Sequence, residues 1–338
     1  MRAAHYELYT GGYTGDGSEG LYRILLNERG GVLDFRPIAT LTSPTYLYPD
    51  RQRSRLYAVS EYRDGAALAA LSVSEKGCAV ADTRVFEGSG ACHLNGFGDN
   101  RVMAVACYLS GDLVGFGTEA SLPEVWRIRP PGDGKTPHAH CTACDRAERY
   151  MVGVDLGQDT LSVYDISQAI PSLAFKFACG EGDGPRHVVF HPNGQLLYCA
   201  NELASTVSSY HFSPANGTLS PIACLTASGR KGAGENSTAG ILTAANGRWL
   251  FLSNRGADTI SVFSLLSDGR MVPAGEYPCG GCFPRHIMLT KDERLMVVSN
   301  QRSNNVSILP VDLVTGGLGE AVGSVTLHEP ACTVEWSF

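Results

Sequence analysis

The chain has 338 residues and a net charge of −7, with 34 acidic residues against 27 Lys and Arg. This negative balance argues against a protein that coats nucleic acid, and no apolar run approaches the roughly 20 residues that a membrane-spanning helix requires. The 11 cysteines are an odd number, and most lie in apolar runs, as Cys107, Cys199, Cys224 and Cys332 do, so we expect a reduced, cytoplasmic protein with small core thiols.

The predicted strands begin at residues 6–9, an apolar segment typical of the second strand of a repeating unit. After it, a first strand recurs every 45 to 54 residues. The predicted centres of these first strands are Tyr46, His93, His140, His187, Ile241, His286 and Cys332. The last first strand, 332–336, has no second strand after it, so we expect it to pair with 6–9 in one shared blade and close a ring.

The unit from 184 to 224 shows the repeat most clearly. Asn-Gly turns at 193–194 and 216–217 separate apolar runs, which is a strong hairpin signal. The second strands, such as 250–254 and 295–300, are almost continuously apolar, so both of their faces should be buried between neighbouring sheets. A period of about 45 residues with four short antiparallel strands predicts an all-β fold, a seven-bladed β-propeller that forms one domain over residues 1–338.

Polar side chains occur where the first strands begin and the second strands end, positions that line one mouth of a propeller channel. They are His138, His140, Asp155, Arg186, His187, Asn201, Glu202, Asn254, Arg255, Arg285 and His286. The guanidinium fork of arginine matches carboxylate and phosphate oxygens, so converging arginines indicate an anionic substrate. A histidine near a glutamate can move a proton to or from water or a substrate carbon.

Each of these side chains also has a structural interpretation. Histidines of the same phase could be core residues that hydrogen-bond a neighbouring blade. Arg186 and Arg285 could brace one blade against the next. Asp155 could cap a turn through its own backbone, and Glu202 could be a solvated turn residue.

Two Cys-x-x-Cys spacings, at 141–144 and 279–282, are compatible with a zinc or redox site. They fall in different blades, so their four thiols are not expected to meet. The sequence also has no P-loop, Gly-x-Ser-x-Gly or His-Glu-x-x-His motif. We therefore expect no metal and no cofactor.

Several motifs resemble those of the seven-bladed β-propeller lactonases. The most specific is Gly-Asp-Gly-Pro-Arg-His-Val-Val-Phe-His-Pro-Asn-Gly at 182–194, which is followed by Asn-Glu-Leu at 201–203. Tyr-Thr-Gly-Gly-Tyr-Thr at 9–14, Pro-His-Ala-His at 137–140 and Ser-Asn-Arg-Gly at 253–256 support the resemblance, which covers the whole chain. This family includes bacterial propeller-type 6-phosphogluconolactonases and fungal carboxymuconate lactonizing enzymes.

The resemblance implies an active site at His140, Arg186, Glu202 and Arg255. In a phosphogluconolactonase, arginines would anchor the phosphate, Glu202 or His140 would activate water, and an arginine would stabilise the tetrahedral oxyanion. The implied activity is metal-independent hydrolysis of 6-phospho-D-glucono-1,5-lactone in the pentose phosphate pathway. The chain departs from the family at Gly240, Ile241 and Leu242, where the family often has a histidine.

The implied partner is a small anionic lactone, with no nucleic acid or membrane, and the protein would be a monomer or a weak homodimer. One alternative is a muconate-type cycloisomerase or a lactonase for another anionic lactone. The other alternative is a propeller without enzymatic activity that serves as a binding platform.

Overall fold

The structure is a computed structural model that describes residues 5–15, 17–62, 65–74, 77–130, 134–230 and 234–336. Antiparallel strands form all seven sheets of these residues. Within these ranges there are 29 strands and no helix that could cross a bilayer. The prediction of an all-β, seven-bladed propeller is confirmed. Residues 1–4 and 337–338 of the predicted domain lie outside the described residues.

The blades are numbered here from the first complete one, with the innermost strand first. Blade I has β4 (Pro44–Asp50), β5 (Arg55–Tyr62), β6 (Gly65–Ser74) and β7 (Gly77–Phe86). Blade II has β8 (Ala91–Phe97), β9 (Val102–Cys107), β10 (Leu113–Gly117) and β11 (Glu124–Ile128). Blade III has β12 (Ala139–Cys144), β13 (Tyr150–Asp155), β14 (Thr160–Asp165) and β15 (Ser172–Ala178).

The remaining blades follow the same pattern. Blade IV has β16 (Pro185–Phe190), β17 (Leu196–Asn201), β18 (Thr206–Phe212) and β19 (Leu219–Thr226). Blade V has β20 (Ser237–Thr243), β21 (Trp249–Arg255), β22 (Thr259–Leu265) and β23 (Met271–Pro278). Blade VI has β24 (Pro284–Leu289), β25 (Leu295–Asn300) and β26 (Asn305–Asp312), with its outer strand split into β27 (Gly317–Leu318) and β28 (Gly323–Thr326). Blade VII has β29 (Pro330–Glu335), β1 (Tyr6–Gly12), β2 (Gly20–Leu26) and β3 (Val32–Thr40).

The core lies between neighbouring blades, as the apolar second strands predicted. In β17, Leu196 and Tyr198 pack toward blade V, whereas Leu197 and Cys199 pack toward blade III. All four side chains are buried. Burial of a large apolar side chain contributes roughly 1.5–3 kcal/mol, so the alternating faces of each second strand hold two sheets in place.

All eleven cysteines are free thiols. The expectation that Cys224 is a core residue is wrong, because it lies exposed on β19, the outermost strand of blade IV. Alternate side chains of an outer strand face solvent, so an apolar neighbourhood in sequence did not ensure burial there.

The two ends of the described chain close the ring as expected. β29 pairs antiparallel with β1, from Leu8 opposite Glu335 to Gly12 opposite Pro330. The N–H of Trp336 donates to the carbonyl of Glu7 at 2.7 Å, and the Trp336 ring packs on Tyr9. No inner edge strand is left unpaired in this blade.

In every blade a β-bulge interrupts the pairing of the first two strands near the start of the first strand. In blade IV the extra residue is Arg186, between Pro185, which pairs with Asn201, and His187, which pairs with Ala200. Bulges re-aim side chains and are common beside functional sites. Here the bulge brings Arg186 as well as His187 to the channel.

The predicted alignment of His140 with His187 is wrong by one residue because of the bulge. By strand pairing, Cys141 occupies the position that His187 holds in the next blade. His140 is therefore the bulged residue of blade III and the counterpart of Arg186 and Arg285, not of the histidines that follow those arginines.

The predicted centre Ile241 is displaced by one residue for the same reason. Gly240 is the counterpart of the inner histidines in blade V, next to the bulged Ala239. A Cβ on Gly240 would lie 3.0 Å from Ile287 Cγ1 and 3.1 Å from its backbone nitrogen, so blade VI leaves little room for a larger side chain.

Candidate active site

Each blade places one residue at the same mouth of the channel. In each blade, one second-strand residue pairs with the start of the first strand, and the mouth residue comes directly after it in sequence. In six blades its N–H donates to the carbonyl just before the first strand, at 2.7–3.1 Å, and in blade V Arg255 pairs with Ser237 at the same position. We call these residues the upper ring. They are Tyr13, Glu61, Tyr108, Leu156, Glu202, Arg255 and Gln301.

Two further rings lie below the upper ring. The bulged residues form the middle ring, which consists of Thr45, Cys92, His140, Arg186, Ala239, Arg285 and Ala331. The inner ring consists of Tyr46, His93, Cys141, His187, Gly240, His286 and Cys332. Together the upper and middle rings enclose a depression, which we call the pit.

The inner ring forms the floor of the pit. The ring centre of Tyr46 lies 4.3 Å from that of His93, 6.3 Å from that of His187 and 5.7 Å from that of His286. These side chains come from blades I, II, IV and VI, so they can touch only at the axis. Aromatic packing therefore fills the channel at this level.

Glu202 is clamped between two arginines at the pit wall. Its Oε2 lies 2.9 Å from Arg186 Nε and 2.6 Å from Arg255 Nη2. The two arginine side chains are 3% and 6% exposed, whereas that of Glu202 is 21% exposed. The closest nitrogen of each arginine therefore meets the same carboxylate oxygen, Oε2.

The clamp keeps all three groups ionised near neutral pH. Burial raises the pKa of Glu202, but the charges of Arg255 and Arg186 together lower it by more. The resulting pKa lies below the usual value of a glutamate. Burial and then the Arg255 charge lower the pKa of Arg186 to about 10, which still leaves it a cation. A fixed carboxylate beside two fixed cations is an arrangement that can polarise a reacting group without reorganisation.

The clamp does not use all of its donors. Arg186 Nη1 is buried and has no hydrogen-bond partner among the described residues, and the same holds for Arg255 Nε. Arg186 Nε approaches Glu202 but lacks hydrogen-bond alignment. Buried donors left unpaired cost about 1–3 kcal/mol each, so a bound oxyanion at the pit wall would recover part of that cost.

His140 lies beside the clamp in the middle ring. Its Nδ1 is 3.8 Å from Cys92 Sγ, and its ring packs edge-on against Tyr108 and His187. Burial, followed by the Arg186 and Arg285 charges, holds the pKa of His140 well below its usual value. The imidazole is therefore neutral at pH 7 and has a lone pair with which to accept a proton.

Arg285 belongs to a second unit on another side of the pit, with two residues that sequence reasoning missed. Arg285 Nη2 lies 3.4 Å from Glu61 Oε2, and the Tyr13 hydroxyl donates to the same oxygen at 2.7 Å. The Arg285 guanidinium carbon lies 5.5 Å from the centre of the Tyr13 ring. The sequence repeat could have identified Glu61 and Tyr13, because they occupy the same position in their blades as Glu202 does in blade IV.

The rim of the pit differs from side to side. His138 stacks on Tyr108 with ring centres 4.4 Å apart, and Leu109 and Leu203 are exposed next to upper-ring residues. On another side, the Arg302 guanidinium lies 3.9 Å from the centre of the Phe283 ring. The pit thus has an aromatic and apolar side and a cationic side.

Three predicted substrate contacts are engaged within the blades. The amides of Asn201 and Asn254 donate to hydroxyls of the adjacent third strands, Ser208 and Ser261 among them, at 2.8 Å. Asp155 Oδ1 accepts the N–H groups of His138 and Gln158, each at 2.9 Å, so it caps a turn as its structural interpretation anticipated. These side chains build the walls that hold the rings.

Two inner-ring histidines join neighbouring blades. His93 Nδ1 accepts the N–H of Thr142 at 3.3 Å, and His286 Nδ1 accepts the N–H of Thr333 at 3.5 Å. Both rings therefore have their proton on Nε2. His187 is buried in the floor, and its Nε2 has no partner among the described residues.

We expect acid to destabilise the fold through the floor histidines. Burial lowers the pKa of His93 from 6.5 to about 3, so the unfolded chain binds a proton at a higher pH than the native protein does. His93 thus contributes stability above pH 6.5 that is lost as the pH falls toward 3, at about 1.4 kcal/mol per pH unit. In His93→Asn the drop in the free energy of unfolding between pH 7 and pH 5, measured by denaturant titration, should be about 2 kcal/mol smaller than in the wild type. An equal drop in both proteins would contradict this assignment.

The described residues contain no group of three His, Cys, Asp or Glu side chains positioned to hold a metal ion. Cys141 faces His93, whereas Cys144 accepts the amide of Asn95. Burial raises the pKa of the Cys141 thiol to about 12, so it stays protonated.

Comparison with known proteins relates the whole chain to one family. The model of the family "Lactonase, 7-bladed beta-propeller" matches residues 7–335. A 6-phosphogluconolactonase of Bacillus subtilis is 26% identical over 336 residues, which is 96% of each chain. The structure of a putative 6-phosphogluconolactonase from Bacteroides uniformis superimposes with a TM-score of 0.89 at 26% identity, over 98% of this chain and all of that one. A protein from Lactobacillus plantarum superimposes with a TM-score of 0.91 at 26% identity, over 98% of this chain and 99% of the other.

Proposed function

Because this chain belongs to the seven-bladed β-propeller lactonases, we propose that it hydrolyses 6-phospho-D-glucono-1,5-lactone to 6-phosphogluconate. The observation that carries the proposal is the clamp of Glu202 between Arg186 and Arg255, with buried guanidinium donors left over. The name of the Bacillus subtilis relative supports the choice of this lactone.

In the proposed reaction, water attacks the lactone carbonyl and gives up a proton to Glu202 or to neutral His140. The carbonyl oxygen becomes an oxyanion, which Arg186 Nη1 and Arg255 Nε stabilise with charge-assisted hydrogen bonds. The bond between the carbonyl carbon and the ring oxygen then breaks, and the proton passes to the ring oxygen as it leaves. The products are an alcohol and a carboxylic acid, which ionises.

The rest of the pit is suited to a sugar ring with an anionic substituent. The Tyr108 and His138 stack offers a flat face for the ring. Arg302, exposed on the rim beside Phe283, offers the phosphate a cation outside the clamp. The proposal invokes no metal or cofactor, and it assigns the reaction to the cytoplasm and the oxidative pentose phosphate route, in a monomer or weak homodimer.

A substrate panel tests the proposal. Purified protein is assayed for acid release above the spontaneous rate with 6-phosphogluconolactone, unphosphorylated glucono-1,5-lactone and a muconolactone, with Glu202→Gln as the matched variant. We expect the largest kcat/KM for the phosphorylated sugar lactone. Turnover of the muconolactone alone would favour the cycloisomerase alternative, and no turnover of any lactone would overturn the proposal.

A further inference from the structure

We propose that Glu61, Tyr13 and Arg285 form a second subsite that binds hydroxyl groups of the substrate and restricts the enzyme to polyhydroxylated lactones. The inference rests on the proposed lactonase function and adds the basis of substrate selection to it. We call these three residues the hydroxyl subsite.

Glu61 lies across the pit from the Glu202 clamp. Glu61 and Glu202 occupy the same upper-ring position in blades I and IV, as their N–H bonds to Ser43 and Gly184 show. These blades are three apart in a ring of seven, so the two carboxylates face the pit from nearly opposite walls. A molecule held at the Glu202 clamp would therefore extend its far side toward Glu61.

The contacts within the hydroxyl subsite leave one carboxylate oxygen of Glu61 available to a ligand. Tyr13 and Arg285 both contact Glu61 Oε2, which leaves Oε1 without a partner among the described residues. The Glu61 side chain is 22% exposed and that of Arg285 is 16% exposed, so both are accessible from the pit but largely shielded from bulk water. The 3.4 Å contact between them is long for a charge-assisted pair, and a ligand atom could insert there more easily than into the 2.6 Å contact of the Glu202 clamp.

The chemistry of the unit selects hydroxyls over a second anion. A carboxylate repels a phosphate or carboxylate placed beside it, whereas it accepts a hydrogen bond from a sugar hydroxyl. The neighbouring guanidinium donates to the oxygen of the same or an adjacent hydroxyl, so the pair supplies one acceptor and one donor. Burial raises the pKa of Tyr13, which keeps its hydroxyl protonated and fixes Glu61 as the acceptor. Sites that pair polar groups with substrate hydroxyls reject analogues lacking them by large factors.

The test compares hydroxylated and unsubstituted six-membered lactones. Wild type, Glu61→Gln and Tyr13→Phe are assayed with glucono-1,5-lactone, its 6-phosphate and δ-valerolactone. Glu87→Gln is the matched control, because this carboxylate is 77% exposed and follows the end of β7, the outermost strand of blade I. For Glu61→Gln we expect kcat/KM on both sugar lactones to fall by about tenfold or more, and the value for δ-valerolactone to change less than about twofold. Tyr13→Phe should shift the same ratio in the same direction by a smaller factor.

Equal losses on all three lactones would show that Glu61 only supports the fold and would overturn the subsite, as would unchanged values on the sugar lactones. If the wild type hydrolyses no lactone, the proposed function fails, and the subsite is decided by calorimetric binding of 6-phosphogluconate. Weaker binding to Glu61→Gln by about tenfold would then support it, and equal or absent binding would refute it.

Discussion

The variant Arg186→Ala is expected to lower kcat for 6-phosphogluconolactone hydrolysis by about 10²- to 10³-fold. The side chain is buried at the pit wall and contacts Glu202 at 2.9 Å, and its Nη1 has no hydrogen-bond partner within the part of the chain that the structure describes. Its removal deletes the proposed oxyanion donor and leaves the Glu202 carboxylate with one clamping cation instead of two. Steady-state kinetics should show the loss mainly in kcat, because this interaction strengthens as the oxyanion forms.

The control for this variant is Arg270→Ala, which removes an arginine that is 64% exposed and pairs with Asp268 in a turn. Its kcat should stay within about twofold of the wild type, since exposed ion pairs contribute little. Full activity of Arg186→Ala, in a protein with unchanged circular dichroism, would exclude Arg186 from the reaction.

Truncation before Pro330 is expected to abolish the folded protein. The deletion removes β29, so β1 loses its inner partner and the buried Trp336 and Cys332 leave the core between blades VII and I. Loss of a buried tryptophan alone costs about 3–5 kcal/mol, and a native protein has only about 5–15 kcal/mol in total. The truncated chain should be insoluble or lack a cooperative thermal transition.

A circular permutant separates closure from chain length. A short linker joins Trp336 to His5, which lie at the paired ends of β29 and β1, and new termini are placed at the exposed turn residue Asn193. This protein keeps every strand pair and should melt cooperatively. A truncated chain that melts like the wild type would show that the shared blade is dispensable.

The blade count and the closure could be predicted from the sequence because they depend on local patterns. Asn-Gly turns and continuous apolar second strands recur at a nearly constant period, and each predicts structure within its own unit. The exposure of Cys224 could not be predicted in the same way, because it depends on which face of an outer strand meets the neighbouring blade.

The phase of the site was harder to predict. A bulge adds one residue to the first strand, and nothing in the spacing of His140 marks it as the bulged residue rather than the one after it. The sequence still selected Arg186, Glu202 and Arg255, which do meet in one clamp. Glu61 was missed because its partner Arg285 comes from a blade at the other end of the chain.

The amides of Asn201 and Asn254 show a further limit. Both stand next to upper-ring residues in sequence, and a strand places successive side chains on opposite faces. Each amide therefore turns into its own blade, whereas the residue after it turns to the pit. Proximity in sequence to a functional residue carried no information about direction.

The proposed hydrolysis of a lactone in the pit around Glu202 is decided by the turnover of 6-phosphogluconolactone by the wild type and by Glu202→Gln. We expect rapid acid release by the wild type and a loss of about 100-fold or more in the variant, which keeps the shape of the side chain but not its charge. Equal turnover by the two folded proteins, or no turnover above the spontaneous rate by the wild type, would refute hydrolysis at Glu202.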